Sequence, residues 1–534
     1  MEANRIAVFA QCGADGTSRM REYVSALRVP EGCEVDFEEV PFTEHIAAAY
    51  QNAMKASSAK YKIYLTEGSV LLHEDILADM LAVFRSDDSI GLMGILGVKQ
   101  LSASALFARS FPIEGGHVLF WDGTHFDGVP PAADVTDVMA ISRECIATQY
   151  DVAWRADLFA KDCFWAEAQC AEFRRRGYRT VIPRQEEEWL LAAGKSPDAD
   201  EPSRRTFLDA YSAGLYPLVS IIIPTFERPH YFRLALESVL AQTYRNLDIF
   251  ITDNSHDEKT ANMMARDFAG DPRIHYEHHA DFDAAGNWMR AMSYDNPNAA
   301  YVNWLMDDDL FLPQKIECMI EYFLQNPDVS LVTSYRQRID GEGKLLVDSP
   351  DTEPFVFSTQ KLDGKMVGRE MLRRCTNFIG EPTTALIKKA CMNGTRLGWT
   401  GREGKYLISD FPTWLNQMEH GNLVYIREAL SQFRYHDGND SARPQTLLCG
   451  SICWAMMIQE AIGRGVFLAD ETVRREAIVK WLYDASFTMK LMTPYPQVWA
   501  MEICKDYYTV FSAMADALGH GLQPHFEMDT RVDL

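Results

Sequence analysis

Apolar positions along the chain follow two periods. Short, largely apolar runs, Arg5 to Ala10, Ile90 to Ile95, Leu218 to Ile223 and Val329 to Thr333, read as buried strands. Between them, apolar residues recur three and four apart over Glu74 to Arg85 and Gln314 to Gln325, the spacing that lines one face of a helix. Strands alternating with amphipathic helices predict an α/β fold with a mostly parallel sheet covered on both faces. Beyond about Asn439 the strand pattern fades. Long helical patterns over Ile452 to Ile462 and Glu471 to Met489 predict a helical C-terminal extension.

The pattern occurs twice. Lys62 to Leu72 leads into the first helix and Val302 to Leu312 into the second, and setting Leu65 against Leu305 keeps both blocks in register without a gap. Asn52 to Ala56 precedes the first block as Asn287 to Ala291 precedes the second. Downstream, Val138 to Cys145 pairs with Thr384 to Cys391, and Asp162 to Trp165 with Asp410 to Trp414. Each of the latter leads through a helix to a glycine and an apolar strand, Gly177 to Ile182 and Gly421 to Ile426. Matches in one order indicate two copies of one α/β unit. The expected division is residues 1–194 for the first copy, a polar linker over 195–216, 217–440 for the second copy and 441–534 for the helical extension.

Composition narrows the partners. Of 534 residues, 47% are hydrophobic and 24% charged, an ordinary globular balance with enough apolar side chains for more than one core. The 52 basic and 76 acidic residues leave a net charge of −24, which repels phosphate backbones and anionic lipid heads and argues against nucleic-acid binding. A phosphorylated substrate then needs a local counter-charge from Arg, Lys or a metal ion. No apolar run approaches the ~18–20 residues of a membrane span, and Met1-Glu2-Ala3-Asn4-Arg5 does not open a signal peptide. The 11 cysteines are scattered, without a Cys-x-x-Cys pair, and read as buried thiols of a reducing cytoplasm. A cytoplasmic protein without a membrane span is expected. Peripheral membrane association and oligomeric state are left open.

Chemistry concentrates in the second copy. The run Val219-Ser-Ile-Ile-Ile-Pro-Thr-Phe-Glu-Arg228 is a buried strand ending in a Pro-Thr turn at the carboxyl edge of its sheet, where open α/β sheets bind ligands. Asp307-Asp308-Asp309 follows another apolar strand. Adjacent carboxylates repel one another, and a hard divalent cation such as Mg²⁺ or Mn²⁺ removes that cost by oxygen ligation. A solvated turn, or a helix N-terminus favouring Asp309, is the plainer reading. With Ser238-Val-Leu-Ala-Gln-Thr-Tyr244, Ile251-Thr-Asp-Asn-Ser255, Pro313 and Leu430-Ser-Gln-Phe-Arg-Tyr-His436, these ordered motifs resemble the family 2 glycosyltransferases over residues 217–440. That family has the GT-A fold. The resemblance implies two tandem GT-A-like domains, Rossmann-like and mostly parallel, followed by the helical extension.

The resemblance also implies roles. Asp308 is the direct metal ligand, with Asp307 and Asp309 sharing the work and His436 able to complete the metal shell. Arg434 touches phosphate or pairs with an acid. Asp253 accepts a hydrogen bond from the nucleotide base, commonly uracil, the alternative being an Asx-turn before Asn254-Ser255. Thr225, Phe226, Glu227, Arg228 and Asn287 are placed at the donor, as is Asp307. Asp410 is the carboxylate that takes the proton from the acceptor hydroxyl in an inverting transfer, a helix-capping role being the plain alternative. Glu381 in Gly380-Glu-Pro-Thr383 is a second base candidate. Three positions depart from the family pattern: Met306 stands where many relatives carry another acid, Glu227 replaces an asparagine and Ser409 a glutamate.

The implied function is an inverting, metal-dependent transfer of sugar from a nucleotide sugar, UDP-linked by resemblance, to a hydroxyl of a glycan or protein acceptor. The rival enzyme is a sugar nucleotidyltransferase, which shares a similar sheet and acidic metal site. The rival outside enzymes is a carbohydrate-binding or scaffold protein. In the first copy, Glu67-Gly68-Ser69 stands where the second has three acids, no Arg-x-His follows the strand near Ile182, and no counterpart of Asp253 follows Val35 to Val40. Asp162 alone matches a proposed catalytic position, so the first copy is expected to be a degenerate, non-catalytic GT-A-like domain.

Overall fold

The computed structural model describes the whole chain except residues 14–19, 44, 111, 116, 122, 130–132, 160–162, 193–199, 350–351, 393–409, 437–443 and 528–534. Asp162 and Ser409 lie outside the described residues. Two compact units result, Met1–Tyr216 and Pro217–Leu534.

In the second unit the strand Leu218–Thr225 is buried along nearly its whole length, as expected of a central strand covered on both faces. It pairs in parallel with Leu247–Asp253 on one side, which pairs in turn with Ile274–His278, and with Ala299–Trp304 on the other. The register sets Thr225 opposite Asp253 and Ile222 opposite Trp304. Three neighbouring strands therefore end at one edge, which gathers Thr225, Asp253 and the turn that follows Trp304. Beyond Ala299–Trp304 come the antiparallel strand Leu386–Lys388, then Val329–Ile339, then Asn422–Arg434. The last strand runs long enough to pair again, antiparallel, with Leu310–Phe311, Leu310 opposite Gln432. This return carries Arg434 and the residues after it back to the Asp307–Asp309 turn.

The expected helical extension is formed by Pro444–Arg464, Glu471–Leu491 and Glu502–Ala517. These helices share one core with the sheet. Ile452, Ile458, Trp481 and Val510 join Trp304, Ile387 and Trp414 in a single buried cluster. The Gln445–Arg464 stretch is, by length and composition alone, apolar enough to cross a membrane, with mean hydropathy 1.3, contrary to the expectation of no such segment. Its Leu448, Ile452, Cys453 and Ile458 are buried in that same core.

The first unit repeats the topology. Its strands lie in the order Glu34–Val40, Glu2–Gln11, Ala59–Leu65, Cys145–Thr148, Ile90–Gly94, Arg179–Pro183, with the same parallel and antiparallel senses as their counterparts. The pairing of Lys62–Leu72 with Val302–Leu312 holds, since Val70–Leu71 forms the short strand that Leu310–Phe311 forms in the second unit. The pairing of Val138–Cys145 with Thr384–Cys391 does not. Thr148 lies opposite Lys62 as Ile387 lies opposite Val302, so Cys145 corresponds to Thr384 rather than to Cys391. Both segments are short and apolar there, and similarity of that kind carries no register. The expected linker is also revised. Residues Glu201–Leu215 form a helix whose N-cap, Asp200, accepts from the Ser203 amide at 2.7 Å. Its Phe207 and Tyr211 are buried, and the Tyr211 hydroxyl donates to Glu172 at 3.0 Å.

Helix Gly364–Arg374 starts hard against the end of helix Asp410–His420. A Cβ at Gly364 would collide with the Gly421 carbonyl oxygen and meet the Met418 oxygen at 2.7 Å. Backbone cannot turn aside as a side chain can. Gly364→Ala is therefore expected to destabilise by about 1–3 kcal/mol despite alanine's better helix propensity. A thermal melt checks this, and a Tm equal to or above that of the wild type contradicts it.

Candidate functional site

The edge formed by the strand ends of the second unit holds a connected polar network. Asp307 is clasped by the strand end: Thr225 Oγ1 donates to its Oδ2 at 2.9 Å and the Phe226 amide at 3.3 Å. The Arg228 Nη1 donates to Asp307 Oδ1 at 3.3 Å and to Asp308 Oδ2 at 3.0 Å. On the other side of Asp308, His436 Nε2 lies 2.9 Å from the same Oδ2. Burial and the neighbouring Asp308 charge push the Asp307 carboxyl up to about 6.

Asp309 and Arg434 differ from what the motifs suggested. Asp309 is fully buried and faces inward, where Thr383 Oγ1 donates to it at 2.6 Å and the Arg434 amide at 2.9 Å. Burial and the Asp308 charge raise its carboxyl well above the ordinary range. Arg434 is 1% exposed, and its guanidinium donates to the backbone oxygens of Asp308 at 2.7 Å, Asp340 at 3.0 Å and Gly341 at 3.1 Å. Both residues therefore brace the turn that presents Asp308.

Asp253 is also fully enclosed. The Ser255 amide donates to its Oδ1 at 2.8 Å, the Asx-turn contact, and the Tyr276 hydroxyl to its Oδ2 at 2.7 Å. Ser255 Oγ accepts from the Glu227 amide at 2.8 Å. Glu227 has φ 51°, a left-handed conformation that strains a non-glycine residue. Its carboxylate meets His256 Nδ1 at 2.7 Å, and Phe226 stands exposed beside the His256 ring. Asn287, placed at the donor by its motif, is a clamp: Thr252 Oγ1 donates to its Oδ1 at 2.7 Å and its Nδ2 donates to the Thr225 oxygen at 3.2 Å. It locks two strand ends together.

Asp410 begins helix Asp410–His420. Asn377 Nδ2 donates to its Oδ2 at 3.4 Å. Burial pushes its carboxyl up to about 6; the Phe411 amide opposes that rise and the Glu381 charge adds to it. Glu381 also raises Asp309, so one carboxylate's field reaches both the acidic turn and Asp410. Glu381 is clasped by Arg336, 7% exposed, whose Nη2 lies 2.9 Å from Oε1 and whose Nε lies 2.9 Å from Oε2. The loop carrying Glu381 is held from below by Lys315, whose buried amine donates to the Thr384 oxygen at 2.9 Å.

Thr383, Tyr276, Arg336 and Asn377 are the residues the motifs missed. Thr383 sat within a quoted motif. Tyr276 and Arg336 reach their partners across strands, and no local spacing marks them.

A divalent ion fits the donor set in part. Asp308 supplies a hard oxygen and His436 a borderline nitrogen, a pair that suits Mn²⁺ better than Mg²⁺. Among the described residues no group of three or more His, Cys, Asp and Glu side chains is gathered as a metal site. Mg²⁺-type sites commonly complete their shell with substrate phosphates and water, so two protein donors suffice chemically.

The chain is similar to known proteins in both halves. Residues 12–211 match the model of a glycosyltransferase-like family, and residues 220–389 that of glycosyl transferase family 2. An uncharacterized glycosyltransferase of Rickettsia typhi is 29% identical over 41% of this chain and 65% of its own length. Chondroitin synthase of Escherichia coli is 23% identical over 39% of this chain and 31% of its own length. The chain thus spans less than two thirds of either relative. Among solved structures, Staphylococcus aureus TarS covers 57% of this chain and 50% of its own with a TM-score of 0.41 at 10% identity. The chain carries two tandem domains of glycosyltransferase family 2 type, residues 12–211 and 220–389.

Proposed function

We propose that the second domain is an inverting, metal-dependent glycosyltransferase, that its donor is a UDP-sugar, and that the first domain is non-catalytic. The observation that carries this reading is geometric: Asp308 stands at the strand ends between Arg228 and His436, and Asn377, which donates to Asp410, also donates to the Gly380 oxygen beside Glu381. A transferase needs a cation-ready acid at the leaving group and a separate base at the acceptor, both within one pocket.

On this reading the acceptor hydroxyl gives its proton to Asp410 as its oxygen attacks the anomeric carbon. The bond from that carbon to the diphosphate oxygen breaks with inversion, and the nucleoside diphosphate leaves with the bonding electrons. Bound at Asp308 and His436, a divalent ion supplies Lewis-acid stabilisation of the departing diphosphate. Base recognition is assigned on this reading to the strand end that carries Asp253, held by Ser255 and Tyr276. Arg336 holds Glu381 in place. The acceptor is a hydroxyl of a glycan or of a protein; partial similarity to a chondroitin synthase favours a polysaccharide.

Release of nucleotide from a panel of nucleotide sugars, with Mn²⁺ and oligosaccharide acceptors, tests the proposal. Release from one UDP-sugar, abolished by EDTA, is expected. Turnover of a sugar 1-phosphate with a nucleoside triphosphate would replace the reading with a nucleotidyltransferase. Absence of release together with absence of nucleotide binding would leave a scaffold.

A further inference from the structure

We propose that Arg228 is the resident counter-charge of the acidic pair, and that divalent ion and guanidinium exchange places when the donor binds. The inference rests on the metal-dependent reading above and adds a switch to it.

The geometry begins with a charge problem. Asp307 and Asp308 stand side by side, 7% and 8% exposed, and their carboxylates repel one another. Arg228 supplies the counter-charge, one nitrogen bridging Oδ1 of Asp307 and Oδ2 of Asp308 at 3.3 and 3.0 Å. The oxygen that Arg228 holds on Asp308 is the one that His436 approaches at 2.9 Å. A divalent ion ligated by Asp308 and His436 would lie where that bridge lies. Two cations cannot share the place, so metal and guanidinium are alternatives.

Arg228 is also the arginine of this site able to leave. Its contacts to the two acids, 3.3 and 3.0 Å, are longer than the 2.6 and 2.9 Å contacts that pin Asp309. Its side chain is 32% exposed, against 7% for Arg336 and a fully buried Arg434. It extends from the turn that opens helix Pro229–Leu240, directly after the strained Glu227, whose amide is tied to Ser255. That turn holds the backbone still while the long side chain pivots. Displaced from the acids, the guanidinium stays beside the strand ends, where a diphosphate offers matching oxygens. The exchange makes binding of metal and donor mutually reinforcing: in the free protein the ion must evict a cation, whereas with a diphosphate present the evicted cation gains a partner.

Mn²⁺ binding to the full chain, followed by electron paramagnetic resonance without nucleotide and then with UDP, tests the exchange. Arg228→Gln is expected to bind Mn²⁺ about tenfold more tightly than the wild type without nucleotide, and to lose most of the enhancement that UDP gives the wild type. Arg228→Lys, which keeps the charge, is expected to stay near the wild type. In EDTA, Arg228→Gln is expected to melt below the wild type and to recover on adding Mn²⁺. If the variant does not fold without metal, recovery of its circular dichroism with Mn²⁺ is the same result, and failure to recover overturns the proposal. Unchanged or weaker Mn²⁺ affinity in Arg228→Gln overturns the exchange and leaves the metal reading standing. No Mn²⁺ binding by any of the three proteins, with or without UDP, overturns both.

Discussion

Asp410→Asn is expected to lower sugar transfer by about 10²–10⁴-fold, to leave nucleotide binding unchanged and to raise thermal stability. The substitution keeps shape and hydrogen-bonding capacity at the head of helix Asp410–His420 but removes the acceptor of the substrate's proton. The effect on stability has the opposite sign because the native carboxyl is pushed up to about 6 from 3.8, chiefly by burial. Between those values the folded protein holds a proton that the unfolded chain has released. Stability therefore falls as pH rises through that window, and above it the charged, half-buried carboxylate remains a cost. At roughly 1.4 kcal/mol per pKa unit, discounted for partial exposure, asparagine should recover about 1–3 kcal/mol at neutral pH. In the wild type, kcat/KM should decline as pH falls through about 6, since the base must be unprotonated. That acid limb should be missing from the residual activity of Asp410→Asn. Turnover against pH, thermal melts and a nucleotide titration of both proteins check these statements. A variant that keeps its turnover would move the base elsewhere.

The second large effect is at Asp308. Asp308→Ala is expected to reduce nucleotide release by at least roughly 10³-fold, because it removes the oxygen met by both His436 and Arg228 and with it the cation-holding capacity of the turn. Fold loss is not the expected cause. The Asp308 charge raises both Asp307 and Asp309, so its removal relieves two buried acids. The turn itself is held by Arg434 through the Asp308 backbone oxygen, a contact that alanine keeps. Glu67→Gln, at the corresponding turn of the first unit, should leave release unchanged. Steady-state release by the two variants and the wild type decides this, and residual activity in Asp308→Ala would point to the first unit.

Fold and duplication were largely legible because they rest on periodicity and on burial along whole elements. The run Leu218–Thr225, buried almost throughout, cannot be other than an inner strand, and the Leu65 and Leu305 blocks agree in register through a strand, a turn and a helix. Short segments carried less. The misaligned Cys145 and Cys391 lie in stretches of a few apolar residues, which fit more than one register. The polar run after Lys195 reads as linker by composition, yet the amphipathic residues Phe207, Leu208 and Tyr211 make the segment that follows a packed helix.

The site shows the same division. Motifs located the acids, because charge at strand ends is a sequence property. Which way each acid points is not. Asp308 faces Arg228 and His436, whereas Asp309, its neighbour, is turned inward by Thr383 and the Arg434 amide. Those contacts span 74 and 125 positions of sequence separation, beyond the reach of any local pattern. Arg434 illustrates the converse. A conspicuous arginine in an Arg-Tyr-His motif serves backbone carbonyls, while Arg228, at the end of the first strand motif, holds the acids.

The central claim is that the second unit, and not the first, holds a nucleotide-sugar donor at its strand ends. Hydrogen–deuterium exchange of the intact chain, with and without UDP and Mn²⁺, tests it most directly and needs no acceptor. The account predicts slowed exchange in peptides covering 224–228, 252–256 and 305–311, with none in the corresponding first-unit peptides covering 8–13 and 65–71. Protection in the first unit, or no protection in the second at nucleotide and metal concentrations well above physiological levels, would contradict it.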